Sequence, residues 1–220
     1  MTQPTARAPD ASPPEAKHET FDRTSARPTR PHDAFSPVWR QVCRLFLWAS
    51  GWKAEGDWPD LPKLVVIAAP HTSNWDGPMM LAAAGYYRVK LRWMGKKSLT
   101  EGPLGWVVKA AGCVPIDRSA RQDVVGQMTD AFRTSDRLVL AVPPEGTRAR
   151  AEAWKTGFYH IALAAEVPIV MSVLDYGAKA VRISGILWPT GDYEADMRLV
   201  ATHYEDAEAR FPDRFAKPVR

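Results

Sequence analysis

Short apolar runs alternate with helix-like stretches along most of this chain. Leu64–Ala69 is unbroken and apolar with β-branched residues at its centre, the pattern of a strand buried on both faces of a sheet. Pro70 ends it, and the polar corner His71-Thr72-Ser73-Asn74-Trp75 follows. Asp76-Gly77-Pro78 then reads as an N-cap with proline in the first turn, opening a helix from about Gly77 to Tyr87. Further strands are predicted over Leu138–Val142 and Pro168–Leu174, with an edge strand over Ala180–Leu187. Helices are predicted over Arg121–Thr134, Trp154–Ala165 and Asp192–Arg210, the last with Tyr193, Met197, Val200 and Tyr204 on a core-facing stripe.

The remaining segments carry more than one meaning. Arg88, Lys90, Arg92, Lys96 and Lys97 interleave with Val89, Leu91, Trp93 and Met94, which predicts a strand with one apolar and one cationic face. That cationic row serves either as a solvated face or as a seat for phosphate groups or an anionic membrane. Gly102–Gly112 reads as a short helix closed by its last glycine, feeding a strand that ends at Asp117-Arg118. Val38–Trp48 reads as an amphipathic helix whose broad apolar surface of Val38, Trp39, Val42, Leu45, Phe46, Leu47 and Trp48 opposes Arg40 and Arg44. Such a helix either packs on the core or lies in a membrane interface. Residues 1–37 are rich in proline, threonine, alanine and mixed charge, without periodicity; a disordered tail is expected, with no signal-peptide pattern. The expected fold is α/β: a mixed, largely parallel sheet flanked by helices, in one domain over 38–215 behind that tail.

Composition narrows the function classes. A length of 220 residues suits one domain with a sizeable core, and no apolar run approaches the about 20 residues a membrane-spanning helix needs. A net charge of +4 permits contact with anionic lipid or acidic substrates without calling for nucleic acid, and no nucleic-acid partner is expected. Cys43 and Cys113 lack metal-ligand spacing and read as reduced thiols of a cytoplasmic protein; no metal ligand is assigned. Nine tryptophans are many for this length and favour sites with one apolar and one wet side, membrane surfaces among them.

Candidate chemistry gathers at strand ends, where open α/β sheets place their ligands. A turn can fold Asp76 back onto one nitrogen of His71, fixing the tautomer and leaving the other nitrogen as a general base. The same two residues also read as a polar turn and a helix cap, and the hexapeptide alone does not choose. Arg118 ends a strand, where it meets either an anionic ligand or its neighbour Asp117. Glu145-Gly146-Thr147-Arg148 follows another strand: glycine lets a ligand approach the backbone, its N–H can join the Thr147 hydroxyl around a phosphate, and Arg148 offers a planar fork of donors. There is no Gly-x-Ser-x-Gly elbow, no Walker loop and no dinucleotide fingerprint. A hydrolase using His71, Asp76 and Glu145 as metal ligands is a further reading, but one imidazole among hard oxygens has no diagnostic geometry.

Taken together, four blocks resemble the glycerolipid acyltransferase family, whose members include lysophosphatidic acid acyltransferases. His71–Asp76 resembles its His-x4-Asp signature, Gly112–Arg118 its second block, Pro144–Arg148 its third and Val167–Val170 its fourth, all in the family's order. The resemblance implies that His71 is the general base and Asp76 its orienting partner. It implies further that Arg118, Glu145, Gly146, Thr147 and Arg148 form the acyl-acceptor site. The implied reaction moves a fatty acyl group from acyl-CoA or acyl carrier protein to a lysophospholipid hydroxyl, 1-acylglycerol-3-phosphate first, with an ornithine-type lipid or glycolipid as the other acceptors. It needs no cofactor beyond the thioester co-substrate. The expected location is cytoplasmic and peripherally membrane-associated, through the Val38–Trp48 helix and the basic strand.

Overall fold

Four residues of the central strand, Leu64 to Ile67, lose all contact with solvent. Each such aliphatic side chain contributes roughly 1.5–3 kcal/mol by burial, which is why this run sits mid-sheet. The computed structural model describes residues 18–20, 36–110, 112–116 and 124–218. Its strands are β1 (His18–Thr20), β2 (Lys53–Glu55), β3 (Lys63–Ala69), β4 (Leu91–Lys96), β5 (Cys113–Ile116), β6 (Leu138–Val142), β7 (Ile169–Asp175) and β8 (Ala180–Leu187). The helices are α1 (Pro37–Ala49), α2 (Asp76–Tyr86), α3 (Lys97–Glu101), α4 (Gly105–Ala110), α5 (Val124–Thr134), α6 (Gly157–Ala164) and α7 (Tyr193–Thr202).

The sheet runs β1-β8-β7-β3-β6-β4-β5, with β2 also on β8. Strands β7, β3, β6, β4 and β5 are mutually parallel, and β8 is antiparallel to β7. The mixed, largely parallel sheet is the one the sequence predicts. Strand alternation divides the core: Val65 and Ile67 join the layer under α5, α6 and α7, whereas Leu64 and Val66 face Trp58, Tyr87 and Ile183 on the opposite side. Met197, Val200 and Tyr204 are core residues, as their stripe indicated.

Several boundaries differ from the sequence expectation. Strand β8 is not an edge, because β1 pairs with Gly185–Leu187 and β2 with Ala180–Arg182. Three residues of the expected tail thus form a strand, and the rest of it up to residue 35 lies outside the described residues. The cationic strand is shorter than its charge row. Arg88 adopts φ +61° just after α2, and Lys97 opens α3, leaving Arg92 and Lys96 on β4 itself. Helix α6 starts at Gly157, while Trp154 lies buried before it and donates Nε1–H to the Ala216 carbonyl at 2.6 Å. Helix α7 ends at Thr202, eight residues before Arg210. In α1 only Cys43 and Leu47 are buried, so its apolar face exceeds its core contact. That helix is capped by the Ser36 hydroxyl, which accepts the Trp39 N–H at 3.2 Å, and it abuts α2 where Gly85 leaves room for Cys43 Sγ.

Parallel pairing sets up the site. Ile67 is level with Val142, and Ala69 with Val173. The segments leaving β3, β6 and β7 at their carboxyl ends therefore emerge side by side, with the residues after β3 in the middle.

Candidate active site

A cis peptide joins Ala69 to Pro70, and the chain then turns through residues 71–75 into α2. His71 opens this turn with its side chain about a quarter exposed, and its Nδ1 stands 3.3 Å from Asp76 Oδ2. Asp76 is the first residue of α2 and not its cap; Trp75 holds the cap position without a side-chain bond. The Asp76 carboxylate, 1% exposed, is free to turn inward for another reason. Its Oδ2 accepts the Ser73 N–H at 2.7 Å, and its Oδ1 accepts the Tyr176 hydroxyl at 2.7 Å. In this geometry Nδ1 faces the carboxylate, and Nε2 lies on the ring's far side.

Glu145 comes from the neighbouring loop and sits beneath the corner. It is 1% exposed, and its Oε1 accepts the backbone N–H of His71 at 2.9 Å. Its Oε2 is buried with no hydrogen-bond partner. Burial pushes its carboxyl above the usual carboxylate range, and the His71 N–H bond opposes that shift only in part. Gly146 is left-handed at φ +65° and its N–H donates to the Pro143 carbonyl at 3.1 Å, so that N–H is committed to the turn. Without a Cβ, Gly146 lets the aliphatic stem and ammonium of Lys155 close over it; a Cβ there would come within 2.6 Å of Nζ. Thr147 accepts the Ala149 N–H at 3.1 Å on its hydroxyl oxygen, and its side chain is exposed. Arg148 donates from Nη1 to Asn74 Oδ1 at 2.5 Å, linking this loop to the His71 corner. Arg118 lies outside the described residues, as does Asp117.

A cleft of about 410 Å³ opens beside the pair. His71, Asp76, Gly77 and Gly146 stand at its polar end, and Met80, Leu91, Trp93 and Met94 line its apolar body. A second hollow shares Leu81 and Leu91 with it and reaches Trp39 of α1. Among the described residues no three His, Cys, Asp or Glu side chains group as metal ligands. Asp76 spends both oxygens on N–H and O–H donors, whereas Glu145 spends only Oε1, on the His71 N–H.

Residues 60–174, just over half of the chain, match the family model described as Acyltransferase. The chain belongs to the acyltransferase family. The 1-acyl-sn-glycerol-3-phosphate acyltransferase of Escherichia coli (strain K12) is 32% identical to it over 111 residues, 48% of this chain and 44% of that protein. The enzyme of the same name from Saccharomyces cerevisiae is 33% identical over 87 residues, 36% of this chain and 29% of its own length. The chain thus matches less than half the length of these relatives. The crystal structure of the 1-acyl-sn-glycerophosphate acyltransferase PlsC from Thermotoga maritima superposes with a TM-score of 0.52 at 17% identity. It covers 78% of this chain and 80% of that one, and the two share a fold.

In this acyltransferase-family chain the matched span contains His71, Asp76 and the Glu145–Arg148 loop. Sequence reasoning missed three supports of the site: Asn74 under Arg148, Tyr176 on Asp76, and Thr72, whose hydroxyl accepts the Phe211 N–H at 3.3 Å. Asn74 and Thr72 belong to the polar corner and were visible as such. Tyr176 follows a core strand and gives no signal of its own.

Proposed function

We propose that the protein is an O-acyltransferase that moves a fatty acyl group from a thioester, acyl-CoA or acyl carrier protein, to a lysophospholipid hydroxyl. The preferred acceptor is 1-acylglycerol-3-phosphate, and the product is phosphatidic acid. The observation that carries this reading is the His71–Asp76 pair standing at the polar end of a largely apolar cleft of about 410 Å³. A base at one end of a hydrocarbon-lined slot suits a substrate that is a reactive carbonyl on an alkyl chain.

His71 Nε2 takes the proton of the acceptor hydroxyl as its oxygen attacks the thioester carbonyl. Asp76 holds Nδ1–H and stabilises the imidazolium that forms. The C–S bond then breaks, the thiolate leaves with the proton His71 carried, and the ester oxygen remains on the acceptor. Gly77 lines the cleft near the start of α2, where backbone N–H groups lack helical partners and suit the developing oxyanion. The acyl chain lies along Met80, Leu91, Trp93 and Met94. Arg148 and Lys155, both exposed beside Gly146, supply two cations for the acceptor phosphate.

A membrane surface is the source of the lysophospholipid acceptor in this reading. No helix among the described residues is long and apolar enough to cross a membrane. Helix α1, however, exposes Val38 at 72%, Leu45 at 62% and Trp48 at 75%, and the hollow at Trp39 meets the cleft at Leu81. Docking through α1 places a lipid's entry beside its binding slot.

The test is thiol release from oleoyl-CoA or oleoyl-acyl carrier protein in the presence of lysophosphatidic acid, with His71→Ala alongside. Release that requires both the acceptor and His71, with phosphatidic acid formed, is the expected result. Release that needs an ornithine-type lipid or lysoglycolipid moves the acceptor; no release with any acceptor refutes the reading.

A further inference from the structure

Two features beyond the family-matched span 60–174 reach into the His71–Asp76 corner. The first is Tyr176, just past β7, whose hydroxyl donates to Asp76 Oδ1 at 2.7 Å. The second is the segment 208–211. The Glu208 carbonyl accepts the Tyr176 N–H at 2.8 Å, and the Phe211 N–H donates to the Thr72 hydroxyl at 3.3 Å. This segment therefore ties the residue beside His71 to the residue that holds Asp76.

We propose that Tyr176, clamped by residues 208–211, is a positioning residue that fixes the Asp76 carboxylate and through it the tautomer of His71. The inference rests on the general-base reading of His71. Asp76 is 1% exposed, so water does not set its orientation. Of the two donors to it besides His71 among the described residues, the Ser73 N–H belongs to the same turn and moves with it. The Tyr176 hydroxyl comes from another strand end, one hundred residues along the chain, and among the described residues it is the donor that ties the carboxylate to the sheet. The His71–Asp76 separation of 3.3 Å is at the long end for a hydrogen bond, so it does not by itself lock the carboxylate rotamer.

Tyr176 is itself held. Its ring meets Trp52 edge-on, centroids 4.8 Å apart at 86°, and the Arg210 guanidinium lies 6.0 Å from its centroid. Arg210 also stands 5.9 Å from the rings of Trp75 and Phe211, so one cation joins the corner, the tyrosine and the strap. Burial, then the hydrogen bond to Asp76 and its charge, pushes the phenol well above the usual tyrosine range; Arg210 opposes this. The hydroxyl thus stays a donor throughout the working pH range.

Tyr176→Phe in the full chain removes the hydroxyl and keeps the ring against Trp52 and Arg210. Ring-nitrogen NMR of 15N-histidine protein, with His71→Ala to identify the resonances, reads the tautomer without substrate. One tautomer with the proton on Nδ1 is expected in the wild type, and a mixture in Tyr176→Phe. In the transfer assay kcat falls about 10–100-fold, as for loss of an outer-shell orienting group, with both KM values within about twofold. An unchanged tautomer in the variant overturns the proposal, whether or not any acceptor turns over. So does a kcat loss that follows a lowered melting temperature with the tautomer kept, since that marks a structural role only. Failure of every acceptor with the wild type, while the tautomer still shifts, overturns the acyltransferase reading and leaves the positioning role standing.

Discussion

The backbone N–H of His71 donates to Glu145 Oε1 at 2.9 Å, although 74 residues separate them in sequence. The third motif therefore braces the first from below. His71 is held at its main chain by Glu145 and at its ring by Asp76, and only the Nε2 side is left toward the cleft. Two carboxylates around one imidazole fix its position without either one having to meet the substrate.

Replacing the proposed base should separate chemistry from folding. His71 is a partly exposed corner residue and belongs to no core cluster, so His71→Ala should shift the melting temperature by only a few degrees. Turnover should fall by about 10²–10⁴-fold, the usual worth of a general base. Asp76→Asn keeps the shape but offers an amide to the Ser73 N–H, the Tyr176 hydroxyl and His71, and should lose comparable activity. Steady-state kinetics with circular dichroism melts check both; wild-type turnover in His71→Ala would sink the assignment.

Glu145 makes stability pH-dependent in a direction that can be stated. Its carboxyl is raised in the folded chain, chiefly by burial. A raised acid binds its proton more tightly folded than unfolded, so its stabilising contribution is complete below the ordinary carboxylate range. That contribution is lost as pH rises through the folded value. Glu145→Gln keeps an acceptor for the His71 N–H and cannot ionise. The variant should gain melting temperature relative to wild type at pH 8 and lose that advantage near pH 4. Parallel melting curves for the two proteins across that range would rule out a raised Glu145.

How much of this was legible follows from what each element depends on. Strand β3 was plain because a strand buried on both faces must be apolar throughout, and Leu64–Ala69 is. The inner position of β8 was hidden because its outer partners pair through backbone: β2 is Lys-Ala-Glu, and β1 lies in a stretch with no apolar pattern. Arg88 and Lys97 looked like strand because charge alternation continues past both strand ends, whereas a left-handed Arg88 and the start of α3 set the real limits. The motifs named His71, Asp76 and the Glu145 loop. They could not show that Glu145 points under His71, because the register of β3 against β6 decides which loop residues meet. Tyr176 was illegible for the same reason, through the register of β3 against β7.

The phosphate end of the proposed acceptor site rests on two exposed cations around a left-handed glycine. Arg148→Ala should raise the acceptor KM by about tenfold or more, the worth of one charge-assisted hydrogen bond pair, and leave the thioester KM within about twofold. Gly146→Ala should cost about 1 kcal/mol of stability from its φ of +65° and push the Lys155 side chain outward, raising the same KM. Initial-rate kinetics with each substrate varied in turn distinguishes the outcomes. A rise confined to the thioester KM would move Arg148 to the other substrate.

Helix α1 tests the lipid surface. Trp48 is 75% exposed and Leu45 62%, and neither belongs to a core cluster, so replacing both by serine should leave the melting temperature within a degree or two. Each buried apolar side chain is worth roughly 1.5–3 kcal/mol on full transfer from water, and partial immersion at an interface recovers a fraction of that. The double variant should therefore bind anionic vesicles at least about tenfold more weakly in sedimentation. Arg44, exposed on the same helix, adds an electrostatic share, so wild-type binding should weaken as salt rises while the apolar share persists. Turnover of a water-soluble short-chain acceptor should fall less than turnover of the same headgroup embedded in vesicles. Equal vesicle binding by wild type and variant would show that the exposed face of α1 meets something other than a bilayer.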